Sequence, residues 1–362
     1  MEQIEPIISN RLQKAVTQNH HMPVLKNRKG KQFPLPIFLP VYHPVESPFS
    51  VNAWVKEFDI QGCIVNAFFL YKDREIRKKL EKNHSLHQYV GLPDLVMTDS
   101  GAFQGFQGSL YLKNKTIVKF QEKIGSDIVS PLDLVCGPGE SRSIAKKKWD
   151  RTYIRIKEAF SLIEKATLAG VQQGGKFHDL RQKSTEALLR LDIQYLALGS
   201  LVPFFNRNHN LAFVGKVIQD ARRVCSSEIP LHVYGAGDPV ELPFMIAMGA
   251  NIFDSSSYAH YARQGWYMTP YGATQDREKI KSGEYICPCP YCKGFDDISS
   301  IIDNTKMLTC HNLWTILKTV KDIRVAIDNN TFEQMLDQVL LHHEHWFPQS
   351  ELKQSWLSLV SS

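Results

Sequence analysis

Short apolar runs recur along the first two thirds of the chain, and their starts lie 20 to 40 residues apart. Between them, apolar residues recur with helical period, as at Ile117, Phe120 and Ile124. Eight strand-plus-helix units are what a (β/α)8 barrel requires, although a doubly wound open sheet is a competing architecture. We therefore predict an α/β fold of the TIM-barrel type. The eight runs occupy residues 36–41, 63–68, 95–98, 128–135, 168–172, 195–202, 231–234 and 251–253.

The pattern changes in the last third of the chain. Apolar residues at helical spacing from Leu313 to Leu341 predict two amphipathic helices there. Near the other end, Gly30 in a mixed, basic stretch predicts a hairpin that precedes the barrel. We accordingly divide the chain into a barrel (1–270), a small zinc-binding subdomain (271–330) and a C-terminal helical tail (331–362).

Polar residues follow most of the apolar runs. Because the carboxyl ends of barrel strands meet at one mouth, these side chains are expected to converge there. Asp254 and Asp99 attract most interest, since each ends a buried run and is followed by small residues that let a ligand approach. For Asp254 the alternative is a cap on the next helix. The residues at the run ends are His43, Asn66, Asp99, Asp133, Gln173, Gly199, Ser200, Gly235 and Asp254.

Four of the seven cysteines lie between residues 287 and 310. Cys287, Cys289 and Cys292, followed by Cys310 and His311, have the spacing of a closed structural zinc site. We take His311 as the fourth ligand and Cys310 as the spare, since one histidine in a thiolate site is common. An odd count with one tight cluster indicates metal binding in a reducing compartment, and the remaining three cysteines are expected to be buried thiols.

Composition and charge exclude little. The hydrophobic fraction of 43% is ordinary for a globular protein, and no run of eighteen apolar residues predicts a membrane span. The first residues lack the layout of a signal peptide, so a cytoplasmic protein is expected. The net charge of +6 permits a polyanionic partner, although each basic cluster could equally be a solvated face. The clusters lie at 26–31, 72–82 and 146–155.

Several motifs together resemble those of the tRNA-guanine transglycosylases, in order and spacing over roughly residues 33–330. Segment 253–259 and the Tyr-Met-Thr-Pro sequence at 267–270 are more similar to the archaeosine branch than to the queuine branch. The motifs are Thr-Asp-Ser-Gly-Ala-Phe-Gln at 98–104, Val-Gln-Gln-Gly-Gly at 171–175, Leu-Gly-Ser-Leu at 198–201, Tyr-Gly-Ala-Gly-Asp-Pro at 234–239, Phe-Asp-Ser-Ser-Ser-Tyr-Ala at 253–259 and the Cys-x-Cys-x-x-Cys knuckle.

The resemblance implies exchange of a guanine in a polynucleotide for a 7-deazaguanine, such as 7-cyano-7-deazaguanine. It implies that Asp254 attacks C1′ of the target nucleoside and that Asp99 protonates the leaving base. It further implies one structural Zn²⁺ ion per chain and a homodimer. The base-binding residues that it implies are Ser100, Phe103, Asp133, Gln173, Gly199 and Ser200.

Departures from the family pattern leave the substrate open. Ser200 stands where the bacterial branch has the second glycine of Gly-Gly-Leu, and Ala102 where it has glycine. Archaeal relatives continue into C-terminal RNA-binding domains, whereas this sequence ends at Ser362. A separate RNA-binding subunit, or a DNA substrate, would account for that. We favour tRNA over DNA. A non-catalytic RNA-binding subunit is a third reading, which the presence of both Asp99 and Asp254 disfavours.

Overall fold

A computed structural model describes residues 22–43, 56–83, 85–92, 94–102 and 112–361. The described part begins with the expected hairpin, formed by β1 (Leu25–Lys26) and β2 (Gln32–Phe33), which pair antiparallel. Gly30 takes a φ of 83° in the turn, a conformation that favours glycine.

The central element is a closed barrel of parallel strands. Two short strands, β7 (Thr167–Leu168) and β8 (Gly170–Gln172), are halves of one strand and pair on opposite sides, so the barrel closes with the predicted eight. All eight follow in chain order, which confirms the (β/α)8 prediction. The other seven are β3 (Ile37–Tyr42), β4 (Gly62–Asn66), β5 (Leu95–Asp99), β6 (Ile128–Val129), β9 (Leu196–Leu198), β10 (Leu231–Val233) and β11 (Ile252–Ser255).

Some predicted runs are longer than the strands they contain. Residues 128–135 form a strand only at Ile128–Val129, because side chains bind the next backbone amides. Leu132 N donates to Asn114 Oδ1, and Leu134 N donates to Thr152 Oγ1. This segment therefore leaves the barrel and packs alongside the helix that contains Thr152.

Helices surround the barrel. The buried side chains of Ile117, Phe120 and Ile124 follow the predicted helical period. The helices up to the end of the barrel are α1 (Ala67–Lys72), α2 (Arg74–Asn83), α3 (Leu86–Val90), α4 (Asn114–Ile124), α5 (Arg142–Phe160), α6 (His178–Leu189), α7 (Ala212–Val224), α8 (Leu242–Ala247) and α9 (Ser257–Arg263).

The last third of the chain packs against the barrel. Both predicted amphipathic helices are present, as α11 (Thr305–Asp328) and α12 (Phe332–Trp346), and a third helix follows them. In α11, Arg324 donates to the carbonyl of Pro36 just before β3, and Asn312 donates to the carbonyl of Tyr258 in α9. The elements are β12 (Tyr267–Thr269), β13 (Gly272–Thr274), α10 (Arg277–Lys281), α11 (Thr305–Asp328), α12 (Phe332–Trp346) and α13 (Leu352–Ser361).

The division into three domains stays a prediction. Within the described ranges, no helix is both long enough and apolar enough to cross a bilayer.

Candidate active site and metal centre

Asp254 lies at the end of β11 and is 9% exposed. Its Oδ1 atom accepts a hydrogen bond of 3.2 Å from the backbone N–H of Gly235, which follows the neighbouring strand β10. The next helix is capped at Ser256 instead, without a side-chain bond. The structure therefore does not support the reading of Asp254 as a helix cap.

Asp99 ends β5, and two donors hold its carboxylate. Its Oδ2 atom accepts hydrogen bonds of 3.2 Å from Asn66 Nδ2, at the end of β4, and of 3.2 Å from Gly101 N. Burial, followed by the charge of Asp133, raises the pKa of Asp99 to about 7. A carboxyl group with such a pKa can both give and take a proton near neutral pH.

Three further predicted residues form one hydrogen-bonded chain on the loops after β6, β8 and β9. Asp133 Oδ2 accepts from Gln173 Nε2 at 2.6 Å, and Gln173 Oε1 accepts from Ser200 Oγ at 2.6 Å. Ser200 Oγ in turn accepts from the backbone N–H of Cys136 at 2.8 Å. Burial raises the pKa of Asp133 to about 6, although the bond from Gln173 opposes this shift.

Gly199 lies against the hydrogen-bonded row of Asp133, Gln173 and Ser200, because a Cβ atom added at Gly199 would come within 2.5 Å of Gln173 Nε2. On the other side of the mouth, the hydroxyl of Ser100 is fully buried and has no hydrogen-bond partner among the described residues. A buried hydroxyl without a partner costs free energy, so a ligand that binds it would recover that cost. Both features fit a polar, planar base.

The three predicted carboxylates lie close enough for their charges to interact. The charges of Asp133 and Asp254 both act on Asp99. Phe103, expected to stack on the base, lies outside the described residues.

Arg181, in α6, is part of the site and was not predicted from the sequence. It is 1% exposed and donates to the carbonyls of Gly175 and Gly199 at 2.6 and 3.1 Å and to Gln172 Oε1 at 2.9 Å. Burial lowers the pKa of its guanidinium to about 9. The side chain thus ties the loop after β8 to the loop after β9. An arginine within a polar stretch gives no sequence signal for this role.

His232 and Tyr195 were also missed. Nε2 of His232 lies 2.8 Å from Asp254 Oδ1, and Nδ1 lies 2.8 Å from the hydroxyl of Tyr195. Both residues occupy apolar runs that read as ordinary strands. The alternation of strand side chains was the one available signal, since it places His232 on the same face as Tyr234, two residues on.

The predicted metal ligands form a buried cluster. The Sγ atoms of Cys287, Cys289 and Cys292 lie 3.5, 3.3 and 3.3 Å from Nδ1 of His311, and the four ligand atoms all lie within 4.8 Å of one another. Nε2 of His311 is 2.8 Å from the carbonyl of Met268. A carbonyl can only accept, so Nε2 carries the proton and Nδ1 offers its lone pair to the centre of the cluster.

Cys310 is not part of this cluster. Its side chain packs with the hydrophobic core of the barrel, whereas the three ligand cysteines pack in a separate small core. Successive residues of a helix point in different directions, so His311 and Cys310 cannot both face the same centre. The geometry therefore favours His311 over Cys310 as the fourth member of the cluster. The other three cysteines are buried, as expected.

Two of the basic clusters lie at opposite ends of the barrel. In the hairpin, Arg28 Nη1 donates to the carbonyls of Glu122 and Ser126, which precede β6. This cluster is thus at the amino ends of the strands. In α5, Arg155 Nη1 donates to the carbonyl of Leu132, in the segment that leaves β6 at its carboxyl end. Only the α5 cluster of these two is on the side of the carboxylates.

Comparison with known proteins identifies a family and several relatives. A family model described as "Queuine tRNA-ribosyltransferase" matches residues 20–345. A curated tRNA-guanine(15) transglycosylase of Methanopyrus kandleri is 32% identical over 320 residues, which are 87% of this chain and 68% of the relative. That of Korarchaeum cryptofilum is 32% identical over 349 residues, 93% of this chain and 58% of the relative. That of Methanocaldococcus jannaschii is 30% identical over 327 residues, 87% of this chain and 50% of the relative. The chain thus spans between 50% and 68% of the length of these relatives.

Proposed function

This chain belongs to the queuine tRNA-ribosyltransferase (tRNA-guanine transglycosylase) family, and from that premise we propose that it exchanges a guanine base of tRNA for a 7-deazaguanine. The observation that carries the proposal is the pair of strand-end carboxylates, Asp254 and Asp99, in one mouth. Asp99 has the raised pKa that an acid–base catalyst needs, while Asp254 is held by a backbone amide.

The proposed reaction has two matching halves. A carboxylate oxygen of Asp254 attacks C1′ of the target nucleoside, and the electron pair of the N-glycosidic bond leaves with guanine, which takes a proton from Asp99. The incoming base then gives its proton to Asp99 and attacks C1′, and Asp254 departs as a carboxylate. One glycosidic bond replaces another, so no external energy source is required.

We assign recognition of the nucleobase to the hydrogen-bonded row of Asp133, Gln173 and Ser200, which lies beside the two catalytic carboxylates. An ionised Asp133 accepts from the N–H groups on the edge of a guanine, and Gln173 and Ser200 fix its orientation. The buried hydroxyl of Ser100 supplies a further bond to the base. The absence of a side chain at Gly199 leaves room for Gln173 and for the plane of the base.

We also propose that the four-residue cluster holds a structural Zn²⁺ ion. Three thiolates and one imidazole are the donor set of closed tetrahedral zinc sites, and no position is left for substrate. The ion would hold the segment after β13 against α11. A homodimer and a separate RNA-binding subunit stay predictions from the resemblance, which sedimentation with and without tRNA would test.

The deciding experiment offers labelled 7-cyano-7-deazaguanine with tRNA and with double-stranded DNA in parallel, using the zinc-loaded chain. We expect incorporation into tRNA, with loss of at least about a thousandfold in Asp254→Asn, because the nucleophile is removed. Incorporation into DNA alone would reject tRNA as substrate. An Asp254→Asn variant that exchanges at the parent rate would reject the nucleophile.

A further inference from the structure

We propose that His232, oriented by Tyr195, is a positioning residue that holds Asp254 for attack on C1′. The proposal rests on the proposed function, since it assigns Asp254 the role of nucleophile. Three adjacent strands bring the side chains together: Tyr195 precedes β9, His232 lies in β10, and Asp254 lies in β11. Both Tyr195 and His232 are 0% exposed.

The contacts place the imidazole between a phenol and a carboxylate. Nδ1 of His232 is 2.8 Å from the hydroxyl of Tyr195, and Nε2 is 2.8 Å from Asp254 Oδ1. The ring edge of His232 also meets the ring of Tyr234, with centroids 4.6 Å apart. Two buried polar groups under the mouth would destabilise the core unless they bind each other or the carboxylate above them.

The neighbours decide which nitrogen carries the proton. If Nδ1 alone were protonated, the lone pair of Nε2 would face the carboxylate of Asp254 at 2.8 Å, which is repulsive. If the hydroxyl of Tyr195 donates to Nδ1, then Nε2 carries the proton and faces Asp254 with a positive dipole. A doubly protonated ring also places an N–H group beside the carboxylate. Every arrangement without repulsion therefore places an N–H group, and not a lone pair, beside Asp254.

The contact between Nε2 and Oδ1 is close, but it lacks the alignment of a hydrogen bond. Its effect on Asp254 is therefore electrostatic and orienting. Oδ1 also accepts the backbone N–H of Gly235. Among the described residues, Oδ2 receives no hydrogen bond, so it is the oxygen that remains available to form the bond to C1′.

This division of the two oxygens fits both halves of the reaction. Oδ2 forms the ester bond to C1′ as the base departs, and it recovers the electron pair of that bond when the incoming base attacks. Oδ1 keeps its two polar neighbours throughout, so the carboxylate does not have to reorient when it departs. His232 itself gains and loses no proton in this scheme.

The alternative is a histidine that only fills the core. The two roles differ in what the ring nitrogens do and in which kinetic constant a substitution changes. A core-filling residue can carry its proton on either nitrogen, and its replacement lowers thermal stability without changing the rate per folded molecule. A positioning residue has its proton on Nε2, and its replacement lowers kcat.

The first measurement is the ¹⁵N spectrum of the histidine-labelled, zinc-loaded chain, with His232 assigned by the signals lost in His232→Gln. We expect a protonated Nε2. In Tyr195→Phe, the Nε2 signal should move toward the average of the two tautomers, because Nδ1 loses its partner. A neutral ring protonated on Nδ1 would overturn the proposal. This readout needs no turnover, so it decides the inference even if the parent chain exchanges no base and the proposed function fails.

The second measurement is guanine exchange. Loss of one preorganised donor typically costs about 100-fold, so His232→Phe should lower kcat by about that factor while KM for guanine stays within about twofold. His232→Gln, which can place an N–H near Oδ1, should recover about tenfold of this loss. Should His232→Phe fail to fold, the comparison of His232→Gln and Tyr195→Phe with the parent still decides. An unchanged kcat in both, with normal melting, would contradict the proposal.

Discussion

Asp133 accepts a 2.6 Å hydrogen bond from Gln173, and this bond fixes the geometry of the base-recognition chain. The amide of Gln173 is held at its other end by Ser200 Oγ, again at 2.6 Å. With both ends of the amide engaged, Gln173 acts as a spacer that sets where the carboxylate of Asp133 can meet a base. Small shifts of Gln173 should therefore change base binding more than they change the chemical step.

Gly199→Ala tests this relationship. The new Cβ would come within 2.5 Å of Gln173 Nε2 and 3.0 Å of Val171 Cγ1, so Gln173 must move. We expect KM for guanine to rise about tenfold with a smaller change in kcat, as for lost ground-state binding. Gly139→Ala, where nothing lies within 4 Å of the added Cβ, is the matched control. Equal KM values in the two variants would contradict the assigned role.

The pH dependence of exchange should follow two carboxyl groups. Asp133 must be ionised to accept from the base, and its pKa is raised to about 6, so kcat/KM should increase as pH rises through 6. Asp99 must be protonated to release the base, and its pKa is raised to about 7, so kcat/KM should fall above pH 7. A plot of kcat/KM against pH, measured from initial rates, should therefore be bell-shaped with its maximum between about pH 6 and 7. A profile that is flat from about pH 5 to 9 would be incompatible with these roles.

Stability gives an independent check on Asp99. The pKa of Asp99 in the folded protein, about 7, exceeds the usual value of 3.8, so the contribution of its protonated form to stability is fully present below about pH 4 and is lost as pH rises through 7. Three pKa units correspond to about 4 kcal/mol, and partial exposure reduces the expected effect to about 2 kcal/mol. Asp99→Asn should therefore unfold at higher denaturant than the parent at pH 8 and at equal denaturant at pH 4.

Asp179→Asn provides a comparison of opposite sign. The hydrogen bond from Arg142 lowers the pKa of Asp179 to about 2, so its contribution is present above about pH 4 and is lost as pH falls through 2. Replacing it should destabilise the chain at pH 8, in contrast to Asp99→Asn. The same sign of change in both variants at pH 8 would show that the shift of Asp99 is wrongly assigned.

The zinc proposal predicts unequal effects of two adjacent residues. Cys310→Ala should keep one zinc per chain, because Cys310 packs with the barrel core, whereas His311→Ala should lose most of the metal. Removing zinc from the parent with a chelator should lower the melting temperature, since ion binding stabilises only the folded state. Metal analysis and thermal melting of the three proteins decide this. Full zinc content in His311→Ala would contradict the assignment of His311 as the fourth zinc ligand.

The basic surface that faces the polynucleotide is predicted to be α5. Lys147 and Arg151 are exposed one helical turn apart on the side of the carboxylates. Lys147→Ala with Arg151→Ala should weaken tRNA binding and reduce the slope of log K against log salt by about 1.5, on the basis of ~0.7–0.9 per phosphate contact. Lys26→Ala with Lys29→Ala, at the other end of the barrel, removes the same charge as a control. If the slopes of log K against log salt were equal in the two double variants, α5 would be a solvated face that does not contact the polynucleotide.

Periodicity and local chemistry were enough to predict the barrel, the carboxylates at the ends of its strands and the cluster of three cysteines and one histidine. Strand-length apolar runs alternate with helical stretches, so the order of elements is encoded locally. Asp99 and Asp254 stand out because each ends a buried run and is followed by small residues that let a ligand approach. Cys287, Cys289 and Cys292 stand close enough in sequence for their spacing alone to indicate that they bind one metal ion.

The tertiary structure alone decided which side chains contact one another across the barrel. Tyr195, His232 and Asp254 are each separated by more than twenty residues of sequence, and only the order of neighbouring strands brings them together. Arg181 belongs to the site because burial forces its guanidinium to bond carbonyls of two loops. Local sequence determines the period of an element, whereas a hydrogen bond between elements depends on register and burial, which arise only when the barrel closes.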